Sequence, residues 1–441
     1  MGPSSDERAL LAGRRARILA AMGEGVMLLP AATELIRSGD THFPFRQDSD
    51  FGYVTGFPEP DAVAVLAVGA ANPYALFVRP RDPEQAVWVG PRTGVEGAVA
   101  DYDANVAHPL GDLEKELLGW LGKANQVFLP FGRDDALTRR LHTLIRYANA
   151  QRPRTGAGPT MLRDAGEILH ELRLVKSPAE IARLRETIAI AAEAHREAMR
   201  TVRPGMHEYE VEALIDGIFR RRGASGPAYP SIVASGANAT ILHYTANDRP
   251  LGADELLLID AGSERAGYCA DVTRTFPTGR RYTPAQRDLY EAVLAAQLAA
   301  IGAARPGTTL DALHVTATRV LSEALIALGL LEGSVDEVVE HEKYKRFYMH
   351  RTSHWLGRDV HDVGQYKLGD TPRALEPGMV FTVEPGLYIP ADADDVAEPF
   401  RGIGIRIEDD VLVTPGSVEV LSAAVPKQVE EIETLRAVAQ A

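Results

Sequence analysis

The stretch Leu256-Leu257-Leu258-Ile259-Asp260 runs four large aliphatic side chains into a carboxylate. A buried strand that ends this way needs a partner for the charge. Asp271 follows in Cys269-Ala270-Asp271-Val272-Thr273-Arg274-Thr275, and a hairpin turning near Arg265-Ala266 predicts the two aspartates facing each other. Carboxylates about 5 Å apart repel, share a proton or hold a cation between them. The plainer alternatives are that Asp271 pairs with Arg274, or that Asp260 opens a turn. Glu384 raises the same question, because it ends the apolar run Met379-Val380-Phe381-Thr382-Val383 and is stopped by Pro385-Gly386. So does Glu408: in Gly404-Ile405-Arg406-Ile407-Glu408 apolar and charged residues alternate, which puts Arg406 and Glu408 on one strand face. Taken singly, either glutamate reads as a polar outer face.

Histidines add the remaining donors. His350, His354 and His361 fall close together in a chain with 12 histidines. A spacing of four would put His350 and His354 on one helix face, but Gly357 and the polar neighbours favour a loop. Four carboxylates at strand ends with one imidazole form an oxygen-rich set without thiolate, suited to manganese, cobalt or zinc in an open dinuclear site. The charges also balance, since two divalent ions offset four carboxylates that would be costly to bury alone.

Several elements must position these groups. Up to about residue 170, apolar runs at Val26 to Leu29, Ala62 to Val68, Tyr74 to Val78 and Val127 to Leu129 read as strands, and Asp112 to Leu121 and Ala136 to Tyr147 have helical spacing. Ser177-Pro178-Ala179-Glu180 is a capping box with proline at the first helical position, so a long helix starts there and stops near Arg203-Pro204-Gly205. Further helices are expected at Tyr209 to Arg222, Pro284 to Ala304, Leu310 to Leu328 and near Val429. Strands are expected at Ser231 to Ala234, Glu255 to Asp260, Ala270 to Phe276, Met379 to Glu384 and Gly404 to Val413.

Composition narrows the function. A length of 441 residues favours two domains. A net charge of −14 argues against nucleic acid as a partner. No run approaches the roughly 18 apolar residues of a membrane span. The acids Asp6 and Glu7 and a broken apolar stretch do not suit a signal peptide, and the single cysteine, Cys269, allows no internal disulfide, which points to the cytoplasm.

Five ordered segments resemble the motifs of the metallopeptidase family of the pita-bread fold: Leu258 to Gly262, Asp271 to Thr275, His350 to His361, Thr382 to Gly386 and Gly404 to Glu408. Within that family the chain is most similar to the aminopeptidase P branch, which removes an N-terminal residue preceding proline. Phe45-Arg46-Gln47-Asp48-Ser49-Asp50-Phe51, with Tyr53 and Thr55-Gly56-Phe57, resembles that branch's non-catalytic domain, which the methionine aminopeptidases lack. The resemblance implies a mixed α/β (α+β) chain with an N-terminal creatinase-like α/β domain, residues 1–172, and a pita-bread catalytic domain, residues 173–441.

By the same resemblance two divalent ions bind per subunit, manganese first, with zinc or cobalt as alternatives. Asp260 binds one ion, Asp271 and Glu408 bridge both, and His354 and Glu384 complete the other site. His243 and His361 face the substrate, and His350 lies near the scissile carbonyl. A hydroxide shared by the ions would attack, with Glu384 passing its proton to the prolyl nitrogen. Arg406 holds a carboxylate ligand or the substrate, or makes a plain ion pair. Tyr229, Tyr388 and Trp88 are candidates for the substrate groove, a position where aromatic residues are as readily core. The expected partners are peptides with proline second and further copies of the chain in a dimer or tetramer. Arg351 stands where relatives often carry glycine, and Gly52 where they often carry an aromatic residue; neither removes a ligand. A prolidase would share these ligands, whereas a metal-free binding protein on this scaffold would have lost some.

Overall fold

The computed structural model describes residues 2–439. The chain divides into two compact units, Met1–Leu172 and Arg173–Ala441.

The first unit is built on a six-stranded sheet. Its spatial order is Val106–Pro109, Tyr74–Val78, Val63–Ala67, Val26–Pro30, Gln126–Leu129, Met161–Asp164. Val26–Pro30 runs antiparallel to Val63–Ala67 and parallel to Gln126–Leu129. Side chains alternate along a strand, so Val26 and Leu28 enter one core and Met27 and Leu29 the other. Both faces are covered, which is why these strands read as unbroken apolar runs. The helix Asp135–Thr155 packs Leu137, Leu141 and Leu144 on one face and continues past Tyr147, with Pro153 in its last turn.

In the second unit the helix Pro178–Thr201 opens on the expected capping box. The Ser177 hydroxyl accepts from the Glu180 amide, and the Glu180 carboxylate accepts from the Ser177 amide at 3.0 Å. This helix buries His195, whose Nε2 donates to the Ala261 carbonyl at 2.9 Å. The strand Leu256–Asp260 lies between Ile232–Ser235 and Thr273–Pro277, antiparallel to both. Here one expectation is corrected. The residue opposite Asp260 is Thr273, not Asp271. The turn does fall at Ala266 and Gly267, both with positive φ, but it closes a separate small hairpin, Ser263–Arg265 with Tyr268–Cys269, and Asp271 lies in the connector beyond it.

A second correction concerns Glu408. Val380–Val383 pairs with Asp409–Val413, and Gly386–Ile389 pairs with Ile403–Arg406. The two ladders are interrupted at the same level, at Glu384-Pro385 on one side and Ile407-Glu408 on the other. Pro385 has no N–H to donate to a ladder, and its carbonyl accepts from the Ile407 amide at 3.3 Å. Arg406 therefore ends one strand and Glu408 sits in the break, rather than both lying on one strand face.

His195 makes acid stability testable. Burial pushes its imidazole down to about 4. Above about pH 6.5 neither the folded nor the unfolded state is charged there and nothing is lost. Between that pH and 4 the unfolded chain takes up a proton that the folded chain refuses, so stability falls as pH falls. Relative to His195→Gln, the parent protein is expected to lose about 2.5 kcal/mol more between about pH 7.5 and 4.5, read from urea unfolding in chelator. Parallel losses in the two proteins would show that His195 is not the cause.

Candidate metal centre

The acids arrive on elements that end or break where they stand. Asp260 closes a fully buried strand. Asp271 reaches the same place because Gly262 lets its connector pass: a Cβ at Gly262 would stand 1.7 Å from the Ala270 carbonyl oxygen. Glu384 and Glu408 project from the two ladder breaks. His354 is carried by a loop pinned to the Val380–Val383 strand, where its carbonyl accepts from the Thr382 amide at 2.9 Å and its amide donates to Thr382 Oγ1 at 3.2 Å.

Ligand atoms of Asp271, His354 and Glu408 all lie within 4.8 Å of one another. His354 Nε2 is 3.3 Å from Asp271 Oδ2 and 3.5 Å from Glu384 Oε1. The Tyr229 hydroxyl lies 2.6 Å from Asp260 Oδ1 and 2.5 Å from Asp271 Oδ1. One hydroxyl proton cannot serve two carboxylates. Thr273 Oγ1 donates to Glu408 Oε2 at 2.6 Å, and Arg406 Nη2 donates to Asp260 Oδ2 at 2.5 Å.

The electrostatics show a cluster with negative charge in excess. Burial, then the charges of Asp271 and Glu384, push the Glu408 carboxyl well above the ordinary range. Burial pushes Glu384 up to about 7 against the pull of His354. Burial opposes a charged His354, yet its hydrogen bond to Asp271 and the charge of Glu384 raise it to about 9. Arg406 and one imidazole leave negative charge in excess, so the protein's own groups are driven to take up protons. Divalent cations remove that excess directly. The donor set also fits them: His354 Nδ1 donates to the Trp355 carbonyl at 3.0 Å, which leaves Nε2 to present its lone pair to the cluster when the ring is neutral.

The four acids and the imidazole line one cavity of about 1130 Å³, together with His243, His350, His361, Tyr229 and Arg406. The His361 ring meets that of His354 edge-on at 4.4 Å, and burial, then His354, lowers its pKa. Tyr388 does not line the cavity as a groove residue would; it is buried behind it. Arg406 Nη1 donates to the Tyr388 hydroxyl at 3.0 Å, and that hydroxyl donates to His350 Nε2 at 2.8 Å. His350 Nδ1 donates to the Arg351 carbonyl at 2.8 Å, and burial, then Arg406, holds the ring down to about 3. Trp88 is likewise no part of this lining. It stands 85% exposed on the helix Pro83–Val89 of the first unit.

Sequence reasoning missed two participants. Asp410 is buried and accepts from the Asp271 amide at 3.2 Å; burial, then Asp271, raises its carboxyl well above the usual range. The paired acids Asp409-Asp410 at the head of an apolar strand were the available signal. His314, on the helix Leu310–Ala327, lines the cavity and meets Thr352 Oγ1 at 2.8 Å. A single histidine on an amphipathic helix gives no warning of this.

The sequence model of metallopeptidase family M24 matches residues 182–415, and that of the aminopeptidase P N-terminal domain matches residues 11–128. The chain belongs to metallopeptidase family M24. It is 42% identical to the Xaa-Pro aminopeptidase of Escherichia coli over 433 residues, 97% of each chain. The structure of aminopeptidase PepP of Pseudomonas aeruginosa superposes with a TM-score of 0.96 at 46% identity, covering 98% of each chain. Aminopeptidase P of Escherichia coli with the inhibitor Pro-Leu does so with a TM-score of 0.93 at 40% identity, covering 100% of both. Within the family these set the chain in the aminopeptidase P branch, as a hydrolase of the exopeptidase kind.

Proposed function

We propose that the chain removes the N-terminal residue from peptides whose second residue is proline, with residues 173–441 carrying the chemistry and residues 1–172 a non-catalytic domain. The observation that carries this reading is the set Asp260, Asp271, His354, Glu384 and Glu408 sharing one cavity with His243, His350 and His361. Its relatives support the specificity: one is an Xaa-Pro aminopeptidase, and another is inhibited by Pro-Leu, a dipeptide of the kind that cleavage before proline releases.

The five ligands would hold two divalent ions, manganese in this reading, whose Lewis acidity activates water and polarises the scissile carbonyl. Glu384, 3.5 Å from His354, takes the proton of the attacking water and returns it to the prolyl nitrogen, a strongly basic leaving group that needs it. His361, kept neutral, donates to the carbonyl oxygen as charge develops there, and His243 shares the work of holding the peptide. Tyr388 and Arg406 position His350, and Arg406 also holds Asp260. The reading places the enzyme in the cytoplasm, in keeping with one buried cysteine. It also makes it a dimer or tetramer, which would cover the exposed Leu35, Ile36, Val87 and Trp88.

A cavity of about 1130 Å³ exceeds what a dipeptide needs. Given Xaa-Pro-Yaa and Xaa-Pro with manganese, the protein is expected to release free Xaa from the tripeptide, as read by mass. Cleavage of the dipeptide alone would make it a prolidase; cleavage of neither would end the peptidase reading.

A further inference from the structure

Outside the metal set, the charged side chains lining the cavity are Asp311, Arg351 and Lys367. Asp260, Asp271, Glu384 and Glu408, with Arg406, belong to the centre already described. What remains is one acid and two bases, so this part of the lining carries a surplus positive charge. Asp311 stands in the first turn of the helix Leu310–Ala327, where the helix dipole already favours a carboxylate. Arg351 pairs with it through Nη2 alone, with the side chains 61% and 43% exposed, and Lys367 is exposed as well. A guanidinium has five N–H donors in a planar fork, so contact through one nitrogen leaves donors for a second carboxylate.

We propose that Arg351, assisted by Lys367, forms a subsite for a carboxylate carried by the substrate on the proline side of the scissile bond. This rests on the aminopeptidase reading. An exopeptidase that removes one residue has a free amine and a single side chain on the other side, whereas every leaving peptide ends in a carboxylate, so the proline side is where one is always available. Two sources share this chemistry: the C-terminus of a short peptide, and an Asp or Glu side chain soon after proline. Asp311 competes for the same guanidinium and thereby limits the preference.

The test uses four manganese-loaded reactions that differ only in charge: Ala-Pro-Ala as free acid and as amide, and Ala-Pro-Glu-amide against Ala-Pro-Gln-amide. At low salt kcat/KM is expected to favour the charged member of at least one pair by about 3-fold to 5-fold, the strength of an exposed ion pair, and to lose most of that in about 0.5 M salt. The pair that responds identifies the source. Arg351→Ala is expected to bring the ratio to about one, Arg351→Lys to keep part of it, and Asp311→Asn to raise it. A ratio of one in the parent protein, or one that Arg351→Ala leaves unchanged, overturns the subsite. If no peptide yields free alanine, the aminopeptidase reading fails and the subsite with it.

Discussion

Glu408→Gln is expected to abolish metal-dependent activity, by roughly 10³-fold or more, while making the metal-free protein more stable. The two effects have one cause. Glu408 is 2% exposed and sits among Asp271, Glu384 and Asp260, whose charges, added to burial, make its ionised form unfavourable without a cation. A neutral amide keeps the oxygen that accepts from Thr273 and removes the repulsion. It also removes one of the four negative charges that would hold two divalent ions. In chelator at about pH 8 the variant's melting temperature is expected to rise by a few degrees, whereas with manganese in excess the parent should be the more stable. Melts in both conditions with metal analysis would decide it. A variant that melts lower than the parent in chelator would mean that Glu408 is stabilised by something other than a cation.

Arg406→Met is expected to act in the opposite direction. The residue is 4% exposed, and its guanidinium donates to Asp260, to the Tyr388 hydroxyl and, at 3.3 Å, to Thr273 Oγ1. Removing it leaves the Asp260 carboxylate with one buried partner fewer, and breaking a buried pair of this kind costs about 3–5 kcal/mol. Bound metal would take over part of the compensation, so the loss should be larger in chelator than in manganese. Equal losses in the two conditions would show that Arg406 acts through packing alone and not through the charge of the centre.

The pairing of these opposite expectations reflects what was readable from residue types. Asp260 and Glu384 stand at the ends of apolar runs, and the charge balance of four carboxylates taken together points to cations there. The capping box at Ser177 and Glu180 placed a helix start correctly because it is a local device, settled within four residues. Longer-range geometry was not legible in the same way. The alternation in Gly404 to Glu408 is what a continuous strand would show, and nothing in it reveals that the ladder breaks at Ile407, because the break is shared with Glu384-Pro385, in the interruption between two other strands. The register of Asp260 against Thr273 was hidden by the small hairpin that takes up the turn. Tyr388 had the composition of a groove residue, but its place behind His350 and Arg406 depends on three separate segments meeting. Arg351 stood out only as a departure from the family pattern, and its partner Asp311 lies on a helix whose periodicity says nothing about that contact.

The most direct measurement is the cleavage of Ala-Pro-Ala by chelator-treated protein as manganese is added, with free alanine and bound metal followed together. The account predicts no release at zero metal and a rate that rises to its plateau at two ions per chain. Glu408→Gln should stay near the baseline throughout. Full activity in chelator, or a Glu408→Gln protein as active as the parent, would contradict it.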